Sequence, residues 1–120
     1  MNKYNKFISR KNTGRINAGI DFFSRAIKSI AIYDEMGIEI CIFNNAIKEL
    51  LEIRADYEEF TGNVIVTYDM ILKNIYNPSK FAQYIYDKIK QTFIEYFEEI
   101  ENNQEHEVDE HWEFVDIGSM

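Results

Sequence analysis

The segment HEVDEH near the C-terminus contains the residue types of a zinc-protease site, because a glutamate lies between two histidines, His106 and His111. In such a site the histidines lie four residues apart on one face of a helix, and the glutamate is the general base. Here they lie five residues apart, so on a helix of about 3.6 residues per turn their rings would point about 140° away from each other. On a strand, an odd separation puts the rings on opposite faces. We therefore interpret the segment as part of a solvated acidic tail and predict no metal site.

No other group of residues forms a pattern known from catalysis. The serines are scattered, and neither histidine lies near a glycine-flanked serine or cysteine. The glycines are isolated from one another, so no glycine-rich loop is available to hold a phosphate. Adjacent acids such as Glu58-Glu59 are typical of a solvated face, whereas a catalytic carboxylate pair depends on tertiary separation. The sequence therefore predicts a non-enzymatic protein that uses no cofactor.

The only cysteine, Cys41, lies in an apolar run from Ile40 to Phe43, which predicts a small buried side chain. A single cysteine cannot form an intramolecular disulfide, as is usual in a reducing cytoplasm. The N-terminus lacks the apolar core of a signal peptide, and no apolar run approaches the roughly 18 residues that would span a bilayer. These features predict a cytoplasmic protein without membrane contact.

The charges are distributed very unevenly along the chain. The formal net charge is −8, yet residues 1–28 carry seven Lys or Arg against the single acid Asp21. Residues 91–120 carry ten acids and neither Lys nor Arg. The chain therefore runs from a basic start to a strongly acidic end, which is typical of interaction segments.

The length of 120 residues and the absence of an internal linker predict one domain, at residues 16–102. Within it, apolar residues recur at the three- and four-residue spacing of amphipathic helices. Residues 1–15 lack this periodicity and are predicted to be a flexible basic arm, and residues 103–120 an acidic tail or edge strand. The last helix is predicted to start with Asn77 as N-cap and Pro78 as the first helical residue. The predicted helices span residues 16–35, 44–60, 64–76 and 78–102.

Some segments fit a strand as well as a helix. Residues 38–43 alternate in polarity and are predicted to form a short strand, although their isoleucines also continue a helical stripe. Residues 64–66 are the second case, because they could be extended. In the tail, Trp112 could anchor a short edge strand beside residues 38–43 or stay free until a partner binds. The predicted fold is a compact, mainly α-helical domain of about four helices, with room for a small two-stranded sheet and with α+β as the alternative.

The acidic C-terminal part leads to the main hypothesis of function. Residues three or four apart on a helix lie about 5–6 Å from each other, so carboxylates at this spacing can imitate a run of phosphates. Such a surface would occupy the basic groove of a nucleic-acid enzyme or nucleoprotein complex, with Trp112 as an aromatic anchor. Anti-restriction and anti-CRISPR proteins of phages often have this size and acidic character, but no motif ties this chain to one family. The residues predicted to contact the partner are Glu95, Glu98, Glu99, Glu101, Glu105, Glu107, Asp109, Glu110, Trp112 and Glu113.

Two alternatives use the basic N-terminal part. In the first, the chain is an accessory module that binds nucleic acid, with cations neutralising phosphates and aromatic rings stacking on bases. The residues of this arm are Lys3, Tyr4, Lys6, Phe7, Arg10, Lys11 and Arg15. In the second, the chain is a structural protein whose basic and acidic ends pair with each other, within one chain or across a homodimer.

Overall fold

The protein is described by a computed structural model that covers the backbone of residues 3–102 and 111–113 and the side chains of residues 14–101. This part of the chain forms three helices and four strands. In chain order they are α1 (Lys3–Tyr33), β1 (Glu39–Asn45), β2 (Leu50–Tyr57), β3 (Phe60–Thr67), α2 (Tyr68–Lys73), α3 (Pro78–Asn102) and β4 (His111–Glu113).

The four strands form one sheet in the order β1-β2-β3-β4. The first three are antiparallel neighbours joined by short connections, and β4 pairs in parallel with β3. The connection between β2 and β3 is the two-residue turn Glu58-Glu59, in which Glu58 has a φ of +55°. A positive φ is what tight hairpin turns require, because it matches the twist of the flanking strands.

The sheet has one buried and one exposed face. Leu51, Ile53 and Ala55 of β2 are fully buried, whereas Glu52 and Arg54 between them are exposed. The buried side chains continue onto β3, where Val64 lies opposite Ile53. This alternation is expected of an antiparallel sheet with one face on the core and the other in water.

The helices α1 and α3 lie side by side and run in the same direction. Phe23 of α1 contacts Phe81 near the start of α3, with 5.2 Å between the ring centroids. Eleven residues further along the chain, just beyond α1, Asp34 reaches Lys90 of α3. The core side chains of α3, such as Ile85 and Ile89, are fully buried. The result is a two-layer α+β domain, with two helices on one face of a sheet.

The short helix α2 packs closely against α1. A Cβ atom added to the buried Gly19 of α1 would lie 2.7 Å from Cγ2 of Ile71 and 2.9 Å from Cδ1 of Ile75. Glycine at this position therefore allows the two helices to approach. The side chain of Thr67 accepts a hydrogen bond from the backbone N–H of Met70, which caps the start of α2.

The prediction of a mainly α-helical fold with about four helices is wrong, because the segment predicted as a helix over 44–60 folds mostly as strands. Its apolar residues also fit a period of two, and the sheet buries Leu51, Ile53 and Ala55 together. The helix predicted over 64–76 is likewise wrong at its start. Residues 64–66 are extended in β3, which was the alternative, and only Tyr68–Lys73 are helical.

Several other predictions are confirmed. The last helix spans Pro78–Asn102, with proline at its first position. The strand predicted over 38–43 is observed as β1. The first predicted helix is present, but it begins at Lys3, so its backbone includes most of the segment assigned to the basic arm.

Two predictions about individual residues are wrong. Cys41 is exposed, because alternate residues of β1 face away from the core and Cys41 is one of these. The short strand that contains Trp112 does not lie beside β1. Trp112 pairs with Gly62 of β3, at the other edge of the sheet.

Candidate functional site

The last turns of α3 expose a series of acids on the solvent side of the helix. Glu95, Glu98, Glu99 and Glu101 are all exposed. On the opposite side of the same turns, Phe93 is fully buried and fixes the orientation of the helix against the sheet. These four residues of the predicted contact surface are therefore accessible to solvent.

Aromatic contacts bring the turn between β2 and β3 to the C-terminal half of α3, the part of the helix that carries these acids. Tyr57, which precedes the turn, lies 5.8 Å from Phe93 and 5.5 Å from Phe97, measured between ring centroids. Phe60, which follows the turn, lies 5.4 Å from Tyr96 and 4.9 Å from Phe97. The Tyr57–Phe93 pair is tilted and the other three are edge-to-face. Aromatic pairs of this kind are worth about 0.5–1.5 kcal/mol each beyond the area that they bury. They anchor the hairpin on the C-terminal half of α3.

The turn itself is acidic, so two acidic segments that are far apart in the sequence lie at the same end of the described structure. We call this surface the acidic end. It consists of Glu58 and Glu59 of the turn, both exposed, together with Glu95, Glu98, Glu99 and Glu101 of α3. The two turn residues were not among the predicted contact residues, because the segment was predicted to be helical. The period-two pattern of Leu51, Ile53 and Ala55 was the feature that could have identified the hairpin.

The cations nearest to the acidic end along the chain are engaged elsewhere. Nζ of Lys90 lies 2.8 Å from Oδ1 of Asp34, and Nζ of Lys88 lies 5.4 Å from the centroid of the Tyr84 ring. Arg54 of β2 forms an ion pair with Asp56 at 3.1 Å. This surface therefore carries a field that is mainly of one sign. Within residues 14–101, the ion pairs to Lys or Arg do not involve Glu58, Glu59, Glu95, Glu98 or Glu101.

These acids lie where they disfavour the helix that carries them. Glu95, Glu98 and Glu101 follow each other at three-residue spacing, and like charges at that spacing repel. The C-terminus of a helix also carries partial negative charge, which favours cations, yet the last turn of α3 contains none. The local stability of α3 therefore does not explain why these positions are acidic.

The other residues of the predicted contact surface are described only in part. Glu105, Glu107, Asp109 and Glu110 lie outside the described residues. Trp112 and Glu113 belong to β4, where their backbones pair with Gly62 and Asn63 of β3, and their side chains lie outside the described part. Since residues 61–63 directly follow the acidic turn and Phe60, this pairing places the backbone of residues 111–113 beside the part of β3 that is next to the turn.

Of the predicted basic arm, only Arg15 has a described side chain. It is exposed, and its Nη2 donates a hydrogen bond to the Tyr76 hydroxyl at 3.2 Å. The backbone of the arm belongs to α1 from Lys3 onward. The side chains of Lys3, Tyr4, Lys6, Phe7, Arg10 and Lys11 lie outside the described residues.

A second polar feature lies in a shallow groove of about 470 Å³ between α1 and α3. The carboxylate of Asp34 accepts hydrogen bonds from Lys90 and from the Tyr86 hydroxyl, each at 2.8 Å. These two bonds, the one from Lys90 first, hold the pKa of Asp34 below its usual value. Burial, and then the bond to Asp34, raises the pKa of Tyr86. The groups satisfy one another and link the end of α1 to the middle of α3, so we interpret the network as structural.

Within the described residues, no group of three or more His, Cys, Asp or Glu side chains is arranged to hold a metal ion. No helix in this part of the chain has both the length and the apolarity to cross a membrane. Comparison of the chain with protein-family models, curated proteins and solved structures gave no match.

Proposed function

We propose that the chain is a non-enzymatic binding protein whose acidic end docks into the basic groove of a nucleic-acid enzyme. The observation that supports this proposal is that two acidic segments, the turn Glu58-Glu59 and the end of α3, lie at the same end of the described structure. Residues from two elements widen the acidic surface beyond a single helical stripe. A groove that binds a phosphate backbone presents lysines and arginines over a comparable surface.

The charges give such a surface both attraction and selectivity. A field of one sign steers a partner of the opposite sign and raises the association rate, and this effect weakens as salt increases. The acids also repel nucleic acid, so the surface favours a basic protein over a polyanion. The proposed mode of action is inhibition, in which the carboxylates occupy the positions that phosphates take in the partner's groove.

The electrostatic disadvantage of the acids within α3 supports a role in binding. Functional surfaces commonly keep residues that local stability would not favour, whereas residues that only maintain the fold agree with local preferences. Local stability does not favour Glu98 and Glu101, since repulsion between neighbouring acids and the helix dipole both destabilise a negative charge at these positions. The single cysteine fits a reducing compartment, and we include a cytoplasmic location in the proposal.

A pull-down from lysate with matched charge variants tests the proposal. The test variant carries Glu98→Lys and Glu101→Lys. The control carries Glu49→Lys and Glu52→Lys, which change two exposed acids away from the acidic end. Both variants change the net charge from −8 to −4, because each substitution adds two charges. The two proteins therefore differ in where the charge is altered and not in how much.

We expect the wild-type protein and the control to capture the same nucleic-acid-binding enzyme and the test variant to lose it. Duplex DNA added as competitor should displace the captured enzyme, and nuclease treatment should not. Equal capture by the test variant and the wild-type protein would refute docking through the acidic end. Recovery of nucleic acid itself, lost on nuclease treatment, would instead support binding through the basic arm.

A further inference from the structure

The strand β1 forms an edge of the sheet in the described part of the chain. Along its free side, alternate residues direct backbone N–H and C=O groups away from β2. Natural edge strands are usually protected by lysine, proline, a bulge or very short length. The strand EICIFNN has seven residues and neither proline nor lysine, and its only charge is Glu39 at the first position. It therefore lacks the features that usually keep an edge strand from pairing with another strand.

The side chains around this edge are also unusually apolar for a surface. On the outer face, Cys41 is exposed and Phe43 is 57% exposed. Ile47, in the loop after the strand, is 97% exposed. On the inner face, Ile40 and Ile42 are only half-buried, because no further strand covers them in the described part of the chain. An added strand would cover apolar surface on both faces at once.

We propose that β1 pairs in antiparallel fashion with β1 of a second copy of this chain, so that two sheets join into one. In an antiparallel pair, each residue whose backbone N–H and C=O point towards the other strand must lie opposite another residue of the same kind. When two copies of one strand pair symmetrically, one residue therefore lies opposite its own copy, and the two-fold axis passes between the two. An axis at Ile42 is the one that pairs all seven residues of the strand. Axes at neighbouring residues give shorter ladders.

The strand is self-complementary in this register. Glu39 lies opposite Asn45 of the second copy, so a carboxylate meets an amide donor instead of another carboxylate. On the outer face, Cys41 lies opposite Phe43 of the second copy, and Ile42 lies opposite its own copy on the inner face. Apolar pairs of this kind stabilise a sheet, whereas like charges directly opposite each other destabilise it.

The two-fold arrangement also separates the strongly acidic parts. Glu39 pairs with Asp56 of β2, so the start of β1 is at the same end of the sheet as the turn Glu58-Glu59. Antiparallel pairing therefore sends the acidic ends of the two copies in opposite directions. A strand of seven residues is about 23 Å long at about 3.3 Å per residue. The acidic ends stay accessible, and their mutual repulsion is reduced.

Cross-linking with cysteine tests the register, and Cys41 provides one partner. Residues directly opposite each other on two strands have Cα atoms about 4.5–5.5 Å apart, which suits a disulfide. The variant Phe43→Cys would place its new thiol opposite Cys41 of the second copy, and we expect most of this variant to form a covalent dimer on mild oxidation. In the wild-type protein and in the variant Cys41→Ser/Phe43→Cys, the thiols would lie diagonally, so little cross-linking is expected.

Sedimentation equilibrium of the intact protein tests the association itself. We expect a dimer that strengthens with added salt, because salt screens the repulsion between two copies of net charge −8. The variant Phe43→Lys, which adds an edge lysine, should lose the dimer while its circular dichroism stays unchanged. A monomer at the highest soluble concentration, or a dimer that Phe43→Lys does not weaken, would overturn the proposal. Both results are independent of the pull-down, so this inference can fail without the proposed function.

Discussion

Replacing Glu98 and Glu101 by lysine should stabilise the fold, although the same change is expected to abolish partner binding. The change turns the like-charge pair Glu95–Glu98 into an opposite-charge pair, which removes a repulsion and adds an attraction worth about 0.2–0.5 kcal/mol each. Positions 98 and 101 still carry like charges after the change, so that pair contributes no gain. It also puts two cations at the C-terminal end of α3, worth about 0.3–1 kcal/mol each. We expect the free energy of unfolding to rise by about 1–3 kcal/mol at low ionic strength, and Tm by about 4 °C for each kcal/mol.

Urea unfolding followed by circular dichroism measures this gain. The experiment compares the wild-type protein, the variant Glu98→Lys/Glu101→Lys and the control Glu49→Lys/Glu52→Lys, each at low and at high salt. The control separates relief of the total charge from relief of the repulsion within α3. At about 1 M salt the screening length falls to about 3 Å, so most of the gain should disappear.

A variant that is less stable than the wild-type protein would refute the reasoning, because it would show that the acids contribute to the fold. A gain that persists at high salt would also contradict it, since the cause would then not be electrostatic. An equal gain in the free energy of unfolding of the control would show that the effect comes from net charge. The acids of α3 would then not be specifically unfavourable for the helix, and this support for their role in binding would be lost.

Two further predictions concern the contacts that hold the helices. Because Lys90 and Tyr86 lower the pKa of Asp34 below its ordinary value of 3.8, the ionised carboxylate stabilises the fold above that pH and loses this effect as pH falls through the lowered pKa. In urea unfolding below about pH 4, Asp34→Asn should therefore lose less stability with falling pH than the wild-type protein, and parallel curves would contradict this. Replacement of Gly19 by valine should lower the free energy of unfolding by about 1–3 kcal/mol, because the new side chain overlaps Ile71. Unchanged thermal unfolding of that variant would mean that α2 moves aside freely.

The difference between the predicted and observed folds comes from two periodicities that overlap in one segment. In residues 44–60, Ile47, Leu50 and Tyr57 fit a helical stripe, while Leu51, Ile53 and Ala55 fit an alternating strand. Local pattern does not decide between them, because short apolar runs fit both periods. The sheet decides, since pairing with β1 and β3 buries the alternating set and leaves Ile47 97% exposed.

The candidate site also has one part that the sequence predicts and one part that it does not. The exposed acids of α3 follow from the helical period of residues 78–102, because a 25-residue helix with one apolar side has only one accessible side. The contribution of Glu58 and Glu59 does not follow, since it depends on contacts such as that between Phe60 and Tyr96. Contacts between residues far apart in the chain leave no periodic pattern in a single sequence.

The sequence by itself determined the last helix, the uneven charge and the solvent side of α3, because these depend on residues close together in the chain. Only the tertiary structure decided that the middle of the chain is a sheet, that Cys41 faces outward and that two acidic segments share one end. The physical reason is that a strand is stabilised by its neighbours in the sheet and a surface by whichever elements pack beside it. Both are properties of long-range pairing, which the chain adopts only when the whole core forms.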